Sequence, residues 1–101
     1  MWHKNIFQKI SNYFANQPIE KAWVFGSFAR GEQTRKSDLD ILVSFTVGSK
    51  INLFNYIHIV NDLKQITGKK IDLVEDGQLK SFARASAEQD KVLIYERKTT
   101  R

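Results

Sequence analysis

Asp38 and Asp40 flank Leu39 at the start of an apolar run, Leu39 to Val43. Residues two apart in a strand share a face, so the two carboxylates are expected to project the same way. Like charges at the edge of a core cost stability unless a cation lies between them. Oxygen-only donors with phosphate as a further ligand indicate Mg²⁺ or Mn²⁺. Ten residues separate this pair from Gly26-Ser27, which closes the run Ala22-Trp23-Val24-Phe25. Glycine lets a backbone approach a ligand closely. Free N–H groups at a helix start attract phosphate, and the serine hydroxyl adds a donor. Ser27 is expected to cap that turn as well. Arg30, Arg35 and Lys36 fall between the two motifs and could meet phosphate charge. Asp72 sits inside a third apolar run, Ile71-Asp72-Leu73-Val74, where an acid is rarely buried unpaired. If that strand neighbours the Asp38/Asp40 strand, three carboxylates can hold metal ions that clamp attacking and leaving oxygens in phosphoryl-type transfer.

Each signal has a plainer reading. The acid pair could be an exposed turn before a strand, Asp72 an edge residue facing water, and the basic loop a solvated surface. Ser37 reads as the residue holding the turn before Asp38. Spacing assigns no role to Arg84, Glu88, Glu75 or Asp76. His58 is expected to face solvent, and Trp23 and Phe25 to lie in the core.

The elements that must position these residues are sparse. The chain has 101 residues, 16 Lys and Arg, 11 Asp and Glu, and a formal charge of +5; it is 42% apolar and 27% charged. That composition is ordinary for one globular domain and excludes a disordered tail or a coiled coil. Residues 1–101 are read as a single domain. The absence of cysteine excludes a disulfide scaffold, a zinc ribbon and a thiol nucleophile. No apolar run approaches the roughly 20 residues of a membrane span, and the first residues carry no signal-peptide core. A cytoplasmic protein is expected, and the basic balance suggests an anionic partner.

Helical spacing of Ile6, Phe7, Ile10, Tyr13 and Phe14 predicts a helix over 5–16, ended by Pro18. Strands are expected at 21–25, 39–45 and 70–75. The clearest helix spans 52–67, with Asn52 as N-cap, Gly68 as left-handed cap, and Leu53, Tyr56, Ile57, Val60 and Leu63 as its apolar stripe. Residues 79–90 read as weakly helical, and 91–96 as a short strand or helix end. The order implies an α+β fold, a small mixed β-sheet with helices packed on it.

Gly-Ser, ten residues, then Asp-x-Asp, with a third Asp on a later strand, resembles the signature of the DNA polymerase beta-type nucleotidyltransferases. The compact form is similar to their minimal nucleotidyltransferase (MNT) group, over about Trp23 to Tyr95. The resemblance implies that Gly26 and Ser27 hold the triphosphate and that Asp38 and Asp40 bind metal. It implies that Asp72 is the third carboxylate, which helps to deprotonate the attacking hydroxyl. It implies transfer of a nucleoside monophosphate from an NTP such as ATP, with Mg²⁺, and release of pyrophosphate. Larger members carry a second helical domain for the acceptor, and 101 residues leave no room for one. Stand-alone MNT proteins resemble antitoxins that attach AMP to HEPN-domain toxins, helical ribonucleases. An apolar surface left by a missing domain fits such a partner, or a homo- or hetero-oligomer.

Three other functions stay open. The chain could be a non-catalytic module that masks a toxin, a modifier of a small molecule, or a nucleotidyltransferase acting on RNA. The nucleotide base and the acceptor atom are not legible.

Overall fold

The computed structural model describes residues 4–32, 34, 37–76 and 91–98. Helix α1, Lys4–Phe14, leads through a turn at Pro18 into β1, Ile19–Phe25. A four-residue helix, α2, Ser27–Arg30, follows at once, and β2 is Leu39–Phe45. Helix α3, Leu53–Thr67, leads to β3, Ile71–Glu75, and the last described element is β4, Val92–Glu96. Residues 91–96 thus resolve into a strand. The weak helix expected at 79–90 lies outside the described residues.

The four strands form one mixed sheet in the order β3-β2-β1-β4. β1 runs antiparallel to β2 and β4, while β2 and β3 are parallel. The parallel pair requires a crossover, and α3 supplies it. The expected α+β class, a small mixed sheet with helices packed on it, is what the chain adopts.

Strand alternation splits the sheet into two faces. Ala22, Val24, Leu39, Ile41, Val43 and Leu73 form one, packed against Phe7, Ile10 and Phe14 of α1 and Ile59 and Leu63 of α3. The other face carries Trp23, Phe25, Asp40 and Asp72, since Phe25 pairs with Asp40 and Asp40 with Asp72. Trp23 and Phe25 are therefore not core residues, contrary to expectation. They are half-buried on the second face, where the Lys91 Nζ lies 4.4 Å from the Trp23 ring centroid. A single apolar run cannot tell its two faces apart.

Helix α3 has the expected ends. The Asn52 side chain accepts from Asn55 N–H, the Asn55 side chain accepts from Asn52 N–H, and Gly68 takes a left-handed φ of 69°. Of the expected stripe, Leu63 is buried and Tyr56 and Val60 pack against the core, but Leu53 and Ile57 do not. Leu53 and Ile57 are 68% and 45% exposed, as is Phe54 at 81%, while Ile59 and Leu63 are buried. Apolar residues lie on more than one side of this helix, so spacing alone cannot choose the inward one. Polar anchors match the choice made. Tyr56 Oη donates to the Leu73 carbonyl. Tyr13 Oη of α1 donates to Asp62 Oδ2 at 2.5 Å, and that oxygen lies 3.1 Å from His58 Nε2. His58 is solvent-facing, as expected.

Among the described residues, no helix is long and apolar enough to cross a membrane.

Candidate active site

β1 ends beside β2, with Phe25 opposite Asp40. The chain must then turn within one residue, and Gly26 does so at φ 73°, ψ −150°. Only glycine tolerates that region readily. A second constraint coincides with the first: a β-carbon on Gly26 would overlap Asp40 Oδ2. The Asp40 carboxylate occupies the space that a side chain at position 26 would need.

Gly26, not Ser27, is the N-cap of α2, and no side-chain cap bond forms. The expectation that Ser27 caps the turn is corrected; Ser27 is the first helical residue. The turn closes through Arg30 N–H to the Gly26 carbonyl at 3.2 Å and Glu32 N–H to the Ser27 carbonyl at 2.9 Å. Arg30 donates through Nε to Glu32 Oε1 at 2.8 Å. Its positive charge still favours ionisation of Asp40, so it acts on the carboxylate face.

Before β2, Thr34 N–H donates to Ser37 Oγ at 2.8 Å and Ser37 N–H donates to the Thr34 carbonyl at 3.1 Å. Ser37 holds this turn, as expected, and Asp38 follows it, exposed. Arg35 and Lys36 lie outside the described residues, as do Arg84 and Glu88.

The parallel register sets Asp72 directly beside Asp40. Burial pushes the Asp40 carboxyl up to about 6, and the charge of Asp72, a hydrogen bond to its side chain and the charge of Asp38 add to this. Asp38 and Asp72 therefore both act on Asp40, with Gly26 against it. Tyr56 is a neighbour that spacing does not single out. It grips the β3 backbone at Leu73 from the packed side, and its phenol proton is held on by burial and by the charge of Asp72. Its one sequence signal is a hydroxyl in an otherwise aliphatic stripe.

Among the described residues, no group of three or more His, Asp or Glu side chains is placed to hold a metal ion. The donor chemistry nevertheless suits a hard divalent cation. Two neighbouring carboxylates repel one another, and a cation between them relieves that repulsion. Asp38, exposed at the start of its strand, would have to turn toward the pair to join it.

The family model for nucleotidyltransferases of the polymerase beta type matches residues 8–100. The chain belongs to this family. A nucleotidyltransferase relative from Methanocaldococcus jannaschii, provisionally named a protein adenylyltransferase, is 36% identical over 78 residues, 76% of each chain. Protein adenylyltransferase MntA of Thermococcus cleftensis is 38% identical over 63 residues, 62% of each chain. The fold agrees with a solved structure described as a minimal nucleotidyltransferase, at 27% identity and a TM-score of 0.74, covering 88% of this chain and 89% of that one. It also agrees with a chain from a complex of tri-AMPylated HEPN toxin and MNT antitoxin of Shewanella oneidensis. There the TM-score is 0.62 at 13% identity, covering 90% of this chain and 73% of that one.

Proposed function

We propose that this nucleotidyltransferase moves AMP from ATP to a hydroxyl of a partner protein, and that the partner is a HEPN-domain toxin which it neutralises. The adjacency of Asp40 and Asp72, with Gly26 against Asp40, carries the reading. The relatives named as protein adenylyltransferases support the protein acceptor, and the AMPylated HEPN complex supports the class of partner.

Asp38, Asp40 and Asp72 would hold Mg²⁺ or Mn²⁺. Such an ion supplies charge neutralisation at the reacting phosphate and at the oxygen being attacked. Gly26 and Ser27 present the turn along which the triphosphate lies, and Arg30 adds positive charge on that side. The acceptor oxygen attacks the α-phosphorus while Asp72 takes its proton. The bond from the α-phosphorus to the bridging oxygen of the β-phosphate breaks, and pyrophosphate leaves with the bonding electrons. Transfer of this kind depends on positioning and electrostatics more than on covalent chemistry.

A second reading has one observation in its favour. Leu53, Phe54 and Ile57 expose apolar surface on α3, which suits a module that masks its toxin by contact. One experiment separates the two. Protein, toxin, ATP and Mg²⁺ are incubated and the toxin is weighed by mass spectrometry. Addition of AMP by the wild type, abolished in Asp38→Ala and Asp40→Ala, is expected. An unmodified toxin that is nonetheless neutralised by both variants would leave only masking.

A further inference from the structure

A basic pair, Lys69-Lys70, directly precedes β3 and has no part in the mechanism above. The two lysines separate where the strand begins. Alternation assigns Lys69, Ile71 and Leu73 to the packed face, and Lys70 and Asp72 to the carboxylate face. The packed side is marked twice. Leu73 is buried in the core, and the Lys69 Nζ lies 5.4 Å from the ring centroid of the fully buried Phe28.

The other side is marked by register. Leu39 pairs with Ile71 and Asp40 with Asp72. The same offset carried one residue back sets Lys70 beside Asp38. The backbone agrees, since Leu39 N–H donates to the Lys70 carbonyl at 2.8 Å. Lys70 is exposed, and among the described residues its ammonium makes no ion pair. Arg30, a described cation that acts on Asp40, is already engaged with Glu32. An exposed ammonium at this end of the carboxylate face, in no ion pair among the described residues, is available to a further anion. Lysine is well suited to phosphate, as a compact charge on a flexible stem.

We propose that Lys70 contacts the phosphate groups of the bound nucleoside triphosphate. The proposal rests on the carboxylate face being the nucleotide site. Lys70 is then a substrate-contacting residue that offsets charge gathering on the departing pyrophosphate. The rival role is purely internal, with Lys70 softening repulsion among the three acids.

Binding measurements on the whole chain separate these roles. Mg-ATP, and Mn²⁺ alone, are titrated into the wild type, Lys70→Met, Lys70→Arg and Lys69→Met. Lys70→Met is expected to weaken Mg-ATP by about three- to tenfold, the scale of one charge-assisted contact discounted for exposure. Lys70→Arg should recover most of that affinity. Lys69→Met should leave it unchanged, and none of the three should weaken Mn²⁺ alone. Mg-ATP affinity of Lys70→Met within about twofold of the wild type overturns the proposal, whatever happens to its melting temperature. A wild type that binds no Mg-ATP overturns the site assignment itself, and the role of Lys70 with it.

Discussion

Asp40 and Asp72 stand side by side across the parallel β2–β3 pair, close enough for the charge of Asp72 to raise the Asp40 carboxyl. Burial first, and then the charge of Asp72, push the Asp40 carboxyl from 3.8 up to about 6, so without a cation it keeps its proton to a higher pH than a free carboxyl does.

The sign of the resulting pH dependence follows from linkage. Between pH 3.8 and about 6, the folded chain binds more protons at Asp40 than the unfolded chain does. Its contribution to stability is therefore full below 3.8 and lost as pH rises through about 6. Thermal melts in EDTA should show the wild type losing stability relative to Asp40→Asn across that window. Mg²⁺ should shrink the difference above pH 6, and two parallel curves in EDTA would contradict the raised Asp40 carboxyl.

Asp72→Asn trades activity for stability. It removes one charge from the repelling set and keeps the shape of the side chain. Stability without metal should rise by about 0.5–1 kcal/mol, while AMP transfer should fall by about 100- to 10,000-fold, the range for losing a positioned proton acceptor. Chemical denaturation and a rate measurement on the same sample check both halves.

Gly26→Ala meets two obstacles at once. The backbone at φ 73°, ψ −150° is unfavourable for any other residue, by about 1–3 kcal/mol. The added methyl group must also displace the Asp40 carboxylate. Among variants that still fold, activity should drop by about 100-fold or more, and Mn²⁺ should bind more weakly. Denaturation and metal titration would register the two effects separately.

Helix α3 offers a test of facing. Ile59→Ala should cost about 2–4 kcal/mol, because Ile59 is 2% exposed and packed against the sheet. Leu53→Ala, at 68% exposure, should change stability by no more than about 0.5 kcal/mol. Equal effects would favour the stripe expected from spacing over the facing described above.

That contrast marks where the sequence is legible. The ends of α3 are readable because Asn52 and Gly68 are chemically specific signals. The bounds of β2 are readable because its apolar run is sharply bracketed. The rotation of α3 is not, since residues 53–63 carry apolar side chains on several sides and hydrogen bonds from Tyr56 and Tyr13 join the burial of Ile59 and Leu63 in fixing the inward one. The adjacency of Asp40 and Asp72 is legible only conditionally. Spacing puts Asp38 and Asp40 on one face, but strand order decides whether Asp72 joins them, and no local signal encodes that order. The close approach of Gly26 to Asp40 is likewise a product of antiparallel register. Ser27 shows the opposite failure, because a residue type common at caps sits one position past the cap.

The outermost place of β3 in the described sheet has a consequence for selectivity. Asp72 is exposed on that strand, so among the described residues, and on the proposed mechanism, the hydroxyl is met at a rim. The choice of what is modified then passes to the visiting protein, which must carry its own hydroxyl to the rim. Exchange of that visitor would redirect the chemistry with no change to the machinery that performs it.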